Sequence, residues 1–225
     1  MLRVGAGELS ATLRLARPGA FVAFAKRDVV VPGYEDAVRA ARAEGFEAVV
    51  RLAGGRAAIF HEDTIELGHA LPDADPRARI HERFERTALR IAAALKGLGV
   101  DARVGEVPGE YCPGRYSVNA RGAAKLAGVG QRVVAGGSHT GVVLVVEGEE
   151  RIKRALGPVY AALGLDWRPG VTGSVAGENG AAGWTTVRDA LIEQYARDHE
   201  IVEADLDEET LALARRLAPE HRAPG

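Results

Sequence analysis

The segment RLAGGRAAIFHED, which begins at Arg51, combines flexible glycines with basic side chains. Gly54 and Gly55 would let the backbone approach a ligand closely and would offer it N–H donors. Arg51, Arg56 and His61 could meet a carboxylate or a phosphate. A hairpin turn between two strands explains the same residues, so the segment predicts either a turn or a cradle for an anionic or acyl-bearing ligand.

A lone lysine, Lys125, lies among small and apolar residues in the segment RGAAKLAGVGQRV. A single ammonium that faces a cleft would bind a phosphate or stabilise a developing oxyanion. An exposed lysine on a strand would produce the same pattern. The segment leaves both interpretations open.

The chain has one cysteine, Cys112, in the segment GEYCPGRYSVN. Pro113 and Gly114 follow it, which predicts a turn that presents the thiol. A nucleophilic thiol needs a nearby cation or base, whereas many lone cysteines are inert core residues. One cysteine also excludes an internal disulfide and a thiolate-rich zinc site, and we expect no metal site.

The composition indicates a globular protein, with 225 residues, 47% hydrophobic and 27% charged, and a net charge of −2. This charge gives no broad attraction to nucleic acid or anionic lipid, so we expect neither nucleic acid nor membrane as a partner. No apolar run approaches the roughly 20 residues that span a bilayer, and the N-terminal residues lack the apolar centre of a secretory signal. These features predict a cytoplasmic protein.

Helical and strand patterns intermingle along the chain, which predicts an α/β or α+β domain. Strands are predicted over residues 20–26, 47–53, 56–61, 64–70, 115–120, 124–134 and 139–148. Helices are predicted over residues 34–45, 76–99, 149–163, 184–199 and 207–218. Asp205 or Asp207 is expected to cap the last helix, and the glycine-rich residues 168–183 are expected to be irregular.

Together, the Gly-Gly segment, the cysteine turn, the lysine segment and the following SHTGVVLVV resemble the biotin/lipoate A/B protein ligase superfamily, in its lipoate–protein ligase and octanoyltransferase branch. That family has an Arg before a Gly-Gly with a His soon after, and a Lys-x-x-Gly-x-x-Gln motif. On this resemblance the candidate catalytic residues are Lys125 and Cys112, and the candidate substrate-binding residues are Arg51, Gly54, Gly55, Arg56, Ala57, His61, Gly128, Gln131 and His139. The other histidines, including His69 and His221, are interpreted as surface or core residues.

The resemblance implies a mixed β-sheet flanked by helices, with a smaller second sheet beside it. It implies a single catalytic domain over residues 1–225, with a core at about 20–217, no C-terminal accessory domain, and a shortened or missing helix before the first strand. It further implies a tunnel for a medium-chain acyl group, with Lys125 at the carbonyl end. The implied acceptor is a lysine on a lipoyl carrier domain, of the glycine cleavage H protein or 2-oxoacid dehydrogenase E2 type.

Departures from the family pattern reduce the number of activities that the sequence could have. Biotin ligases carry Gly-Arg-Gly-Arg where this chain has GGRAAIFH, which disfavours biotin. One octanoyltransferase class has its cysteine in a Pro-Cys-Gly segment after the long buried strand, and residues 168–183 contain no cysteine. A second class carries its cysteine upstream of the lysine motif, where Cys112 stands, and its surrounding residues match this chain loosely.

Three functions remain open. An acyltransferase would move an octanoyl or lipoyl group through a Cys112 thioester and would need no cofactor. A lipoate–protein ligase would use ATP and Mg²⁺, with Lys125 stabilising an acyl-adenylate. A degenerate relative would only bind a lipoyl domain or an acyl ligand, which retention of both motifs disfavours. For either enzyme we expect Lys125→Ala to abolish activity without disturbing the fold, and Gly55 to lie against the ligand.

Overall fold

The computed structural model describes residues 1–223, and its framework is a pair of β-sheets. The strands are β1 Thr12–Ala16, β2 Phe21–Ala25, β3 Glu47–Arg51, β4 Ala58–Phe60, β5 Thr64–Pro72, β6 Ala102–Val104, β7 Val118–Ala120, β8 Ala124–Val134 and β9 Gly137–Val145. The helices are α1 Leu2–Gly5, α2 Lys26–Val29, α3 Tyr34–Ala43, α4 Ile80–Gly97, α5 Glu149–Ala162, α6 Val175–Glu178, α7 Trp184–Ala196 and α8 Glu208–Leu217. Two 3₁₀ turns, Pro169–Val171 and Ala218–His221, complete the chain's regular structure.

The larger sheet has six strands in the order β1-β5-β9-β8-β7-β6, and every neighbouring pair is antiparallel. Its central strands β8 and β9 are rich in β-branched residues and form a hairpin. Helices α4 and α7 cover one face, where Ile91, Leu95 and Leu191 pack against Leu126 and Leu144. The periodic apolar stripe of α4 therefore faces this core.

The smaller sheet has three strands in the order β3-β2-β4. Strand β3 runs parallel to β2, which requires a crossover, and helix α3 provides it. Helices α3 and α5 pack with this sheet in a second core that includes Val22, Phe24, Val38, Ile152 and Leu156.

The hairpin interpretation of the Gly-Gly segment is wrong. Strands β3 and β4 do not pair with each other in the described residues, because β2 lies between them. Arg51 pairs with Ala25 at the end of β2, and Ala58 pairs with Ala23 on its other side. Residues 52–57 must therefore cross over the carboxyl end of β2, where a cleft lies.

A large sheet flanked by helices, with a smaller second sheet beside it, confirms the expected fold class. The larger sheet is antiparallel and not mixed, and parallel and antiparallel pairs occur together in the smaller sheet. The predicted helices and strands are present with shifted ends, and Asp207 caps α8 by accepting a hydrogen bond from the Thr210 N–H at 2.7 Å. Two strands, β1 and β6, were not predicted. Residues 168–183 are less irregular than expected, because Ser174 caps the short helix α6. Within residues 1–223, no helix is both long and apolar enough to cross a membrane.

Candidate active site

A cleft of about 890 Å³ lies against both sheets. Phe21 and Phe60 of the small sheet stack in its wall, with ring centroids 4.7 Å apart, and Leu67, Val129 and Val142 of the large sheet add further apolar surface. A cleft of this size and lining suits a medium-length acyl chain. The predicted site residues that line it are Arg51, Gly54, Gly55, Cys112, Lys125, Gly128, Gln131 and His139.

Lys125 is buried at the start of β8, with only 1% of its surface exposed. Its ammonium donates to Glu110 Oε1 at 3.0 Å and to the carbonyl oxygens of Tyr111 at 2.8 Å and Cys112 at 2.9 Å. These acceptors occupy its three N–H donors, and the ammonium also lies 4.8 Å from the centre of the Tyr111 ring. The exposed-strand interpretation is therefore wrong, and Lys125 fastens the cysteine turn to the large sheet.

Glu110 is the counter-ion of Lys125, and sequence reasoning missed it. Its carboxylate is buried, and it accepts hydrogen bonds from the backbone N–H groups of Val107 and Gly114, each at 3.0 Å, and from the Ser117 hydroxyl. The local composition could have indicated Glu110, since it is the only acidic residue in GEYCPGRYSVN. An otherwise isolated carboxylate near a lone lysine predicts a pair once both are buried.

Cys112 is half-buried in the cleft wall and has a φ of 42°, in the left-handed region that non-glycine residues rarely adopt. Its backbone N–H donates to the Tyr160 hydroxyl at 2.7 Å, which in turn donates to the Ala57 carbonyl at 2.9 Å. The sulfur accepts from the Arg56 backbone N–H at 3.2 Å and from Arg51 Nη2 at 3.4 Å. The turn thus holds the thiol against two donors.

Opposing effects act on the pKa of the Cys112 thiol. Burial raises this pKa, whereas the positive charges of Arg51 and Lys125 and the two hydrogen bonds to sulfur lower it. The net effect is a pKa below the usual value. The thiolate fraction near neutral pH is therefore raised, which is what a nucleophilic cysteine requires.

Position 55 requires glycine, because neighbouring side chains of the protein leave no room for a Cβ atom. Its φ is 103°, and a Cβ atom there would lie 2.7 Å from Cys112 Sγ and 2.8 Å from Arg51 Nη2. Gly55 also lines the cleft, so the expectation that it lies against a ligand stays a prediction, while the neighbours that a Cβ atom would meet are the thiol and a guanidinium. Gly54 is in open space, whereas a Cβ on Gly128 would make an ordinary contact, 3.5 Å from Lys125 Cε.

Arg56, Ala57 and His61 are not among the described residues that line the cleft. The Arg56 guanidinium pairs with the buried Asp28 at 3.1 Å, so this residue reaches the thiol through its backbone N–H. His61 is completely buried, its Nδ1 accepts from the Asp63 N–H at 3.2 Å, and burial lowers its pKa. The expectation that the Arg56 and His61 side chains meet an anionic group is corrected.

Gln131 and His139 line the cleft and have defined surroundings. Gln131 donates to the Ile80 carbonyl at 2.8 Å and accepts from Arg83 Nε at 3.1 Å, so its amide fastens the start of α4 to β8. The His139 ring lies where a Cβ on Gly68 would be only 2.9 Å away, and burial lowers its pKa. The lowered pKa favours the neutral ring in the cleft wall.

His221 lines the cleft as well, although the sequence suggested a surface or core residue. It follows α8, and its ring Nδ1 lies 2.7 Å from the Val50 carbonyl oxygen. Nothing local in the sequence indicates this, because the contact joins positions far apart in the chain. In residues 1–223, no three His, Cys, Asp or Glu side chains cluster as a metal site would require.

Comparison with known proteins places this geometry in a family. The family model described as "Lipoyl protein ligase A/B catalytic domain" matches residues 3–161. The chain belongs to this family. The superfamily expected from the two motifs is thereby confirmed, and the matched region contains both Cys112 and Lys125.

Two curated relatives of the chain are named as transferases. The chain is 32% identical over 145 residues to an octanoyl-[GcvH]:protein N-octanoyltransferase of Geobacillus kaustophilus, covering 64% of this chain and 51% of the relative. It is 26% identical over 130 residues to a lipoyl-[GcvH]:protein N-lipoyltransferase of Listeria monocytogenes, covering 58% of this chain and 46% of the relative. The chain thus spans about half the length of these relatives.

Solved structures of lipoate–protein ligases share the fold. A lipoate-protein ligase A bound with ATP superposes with a TM-score of 0.74 at 19% identity, covering 93% of this chain and 82% of that chain. The bipartite lipoate protein ligase of Thermoplasma acidophilum, studied with its E2 lipoyl domain, gives a TM-score of 0.70 at 18% identity, covering 93% and 80%. These similarities establish the architecture of the lipoyl protein ligase A/B catalytic domain in this chain.

Proposed function

We propose that this protein is a thiol-dependent acyltransferase that moves an octanoyl or lipoyl group to a lysine of a lipoyl carrier domain, with no cofactor. One observation carries the proposal: the Cys112 sulfur lies in the wall of an apolar cleft and accepts hydrogen bonds from Arg51 and from the Arg56 N–H. A polarised thiol beside an acyl-sized slot is the arrangement that thioester chemistry needs.

The reaction proceeds in two steps. The Cys112 thiolate attacks the amide carbonyl of the donor's acylated lysine, a carbon–sulfur bond forms and the carbon–nitrogen bond breaks, and the donor lysine leaves as an amine that takes a proton from solvent. The amine of the acceptor lysine, in its neutral form, then attacks the thioester. An amide forms, the amine proton is lost to solvent, and the thiolate is released. The Arg51 guanidinium next to the sulfur stabilises negative charge that develops on the carbonyl oxygen.

The donor and acceptor are carrier domains. The relatives' names describe transfer from octanoyl-[GcvH] or lipoyl-[GcvH] to protein, and a structural neighbour was studied with an E2 lipoyl domain. We therefore propose an acylated H protein as donor and a lipoyl domain of the E2 type as acceptor. Both sheets contribute to one cleft, which supports a single catalytic domain with its core at about 20–217. Residues 224–225 of the expected domain lie outside the described residues.

The buried position of Lys125 distinguishes this proposal from ATP-dependent ligation. A lysine that stabilises an acyl-adenylate must direct an N–H donor at a phosphate. Here the three donors of the Lys125 ammonium are directed at Glu110 and at two backbone carbonyls. In this conformation the lysine organises the thiol's turn, which favours transfer through Cys112.

Intact-mass measurement tests the function. Incubation with octanoylated H protein, without acceptor, should add one octanoyl mass that neutral hydroxylamine removes, since hydroxylamine cleaves thioesters. Cys112→Ser should lose this adduct, because an unactivated hydroxyl is a much weaker nucleophile. The proposal is wrong if wild-type protein forms no adduct while Cys112→Ser still modifies a lipoyl domain when supplied with lipoate, ATP and Mg²⁺.

A further inference from the structure

We propose that Glu110 is a positioning residue for the transfer reaction, holding the Cys112 turn in its reactive geometry. The inference rests on the proposed function only in its consequence for turnover, because its effect on the thiol is measurable without any acyl group. It assigns a role to a carboxylate that touches neither the sulfur nor, on this account, the acyl group.

The carboxylate joins both sides of the turn. Oε2 accepts from the Val107 N–H at 3.0 Å, before the cysteine, and Oε1 accepts from the Gly114 N–H at 3.0 Å, after it. Oε1 also accepts from the Ser117 hydroxyl and from the Lys125 ammonium at 3.0 Å. Residues 107–117 thus surround one buried carboxylate, and only 2% of the surface of Glu110 is exposed.

The same contacts extend to Cys112 through Lys125. The ammonium that Glu110 neutralises donates to the carbonyl of Cys112 itself at 2.9 Å. Cys112 has a φ of 42°, and a non-glycine residue keeps such a backbone conformation only when its surroundings fix it. Glu110 supplies that constraint from one side, and the Tyr160 hydroxyl, bound to the Cys112 N–H at 2.7 Å, supplies it from the other.

The charged and titratable groups around the sulfur make the role testable. Arg51 approaches from the end of β3, Lys125 from β8 and Tyr160 from α5, with Tyr111 in the turn itself. Burial raises the pKa of both tyrosines, so they stay neutral while the thiol titrates. The pH dependence of thiol reactivity therefore reports on Cys112.

Positioning and simple electrostatics predict opposite results for Glu110→Gln. Removing a negative charge near the thiol would, by charge alone, lower the pKa of Cys112. If Glu110 instead positions the turn, its loss moves the sulfur away from Arg51 and the Arg56 N–H, and the pKa of Cys112 rises. An amide also replaces one of the two carboxylate oxygens with an NH2 group. In the place of Oε2 that group faces the Val107 N–H, and in the place of Oε1 it faces the Gly114 N–H and the Lys125 ammonium, so either orientation opposes donor to donor and disrupts the turn further.

The experiment measures the rate of iodoacetamide alkylation against pH, together with the rate of thioester formation from octanoylated H protein. Glu110→Gln should shift the alkylation midpoint to higher pH and slow thioester formation on the order of 10²-fold, as expected for a misplacement of about 1 Å. The matched control is Glu106→Gln, which removes an exposed carboxylate from the same loop and should leave both measurements unchanged. An alkylation midpoint that stays in place or falls in Glu110→Gln would overturn the inference.

Ser117→Ala keeps the test decisive if Glu110→Gln fails to give a native melting transition. This change removes one donor from the carboxylate without altering charge, so it should shift the midpoint in the same direction by a smaller amount. An unchanged midpoint in a folded Ser117→Ala protein would count against the inference. If wild-type protein forms no thioester at all, the proposed function fails, and the alkylation profiles still decide whether Glu110 positions the thiol.

Discussion

At Cys112 and Lys125, the polar groups of the site are bonded to one another before any ligand enters. The thiol accepts from Arg51 and from a backbone N–H, and the lysine is enclosed by a carboxylate and two carbonyls. Such preorganisation means that little rearrangement is needed when charge develops during a reaction. It also means that the residues which look catalytic carry part of the local stability.

Lys125→Ala should therefore unfold more easily than the wild type, contrary to the expectation that the fold stays intact. It leaves the Glu110 carboxylate buried without its counter-ion, and breaking a buried ion pair costs about 3–5 kcal/mol. Urea denaturation should show this loss in the free energy of unfolding. Adding Glu110→Gln to the lysine variant should recover part of it, because the double variant buries no unpaired charge. A fully additive loss would show that the pair is not coupled.

At the scale of elements, the site depends on the strand order β3-β2-β4, which no local pattern in the sequence indicates. The sequence shows the apolar runs of β3 and β4 and the glycines between them. Taken alone, these residues favour a hairpin. Strand β2 inserts between them only because α3 carries the chain across, a pairing that depends on distant residues. Strand β6 is three residues long, too short for an alternating pattern, whereas β1 does alternate and could have been found.

Gly55→Val should destabilise the protein by about 1–3 kcal/mol, the usual range for a clash combined with an unfavourable backbone angle. The new side chain would meet Cys112 Sγ and Arg51 Nη2, so thiol alkylation should change at the same time. Gly54→Val is the matched control, since a Cβ at Gly54 meets nothing within 4 Å. Denaturation and alkylation of the two variants would compare directly. Equal stability and equal alkylation rates in the two variants would show that residues 52–57 tolerate a larger side chain at either position.

For the whole molecule, the fold class, most elements and both motifs were predictable, whereas the burial of individual side chains was not. His61 matches the family motif and lies inside the protein instead of in the cleft. His221 matches no motif and yet lines the cleft, because the chain after α8 returns to the edge of β3. Local patterns show which residues are polar, and only tertiary packing decides which of them meet a ligand.

Acid should weaken the whole fold through His69, which is buried on β5 with its ring centroid 5.1 Å from that of Tyr195. Burial, and then the charge of Arg90, lower the pKa of His69 from 6.5 to about 4. The unfolded chain therefore binds a proton that the folded protein excludes between these values, and stability falls as pH drops from 6.5 towards 4. The loss attributable to His69 is on the order of 3 kcal/mol.

Denaturation at several pH values would check this. The wild type should lose more stability than His69→Gln across that interval, because glutamine does not titrate. Parallel losses in the two proteins would assign the acid sensitivity to other groups.

The parallel pairing of β2 and β3 has a consequence for protein engineering. Both strands end at one edge, so the segments that leave them, α2 and residues 52–57, meet there: Arg27 donates to the Gly55 carbonyl, and Arg56 pairs with Asp28. The Gly-Gly loop is consequently half of a discontinuous module. A chimera that imports this loop alone from a relative would separate it from its partner, whereas exchanging both segments together would transfer a unit that keeps its own contacts.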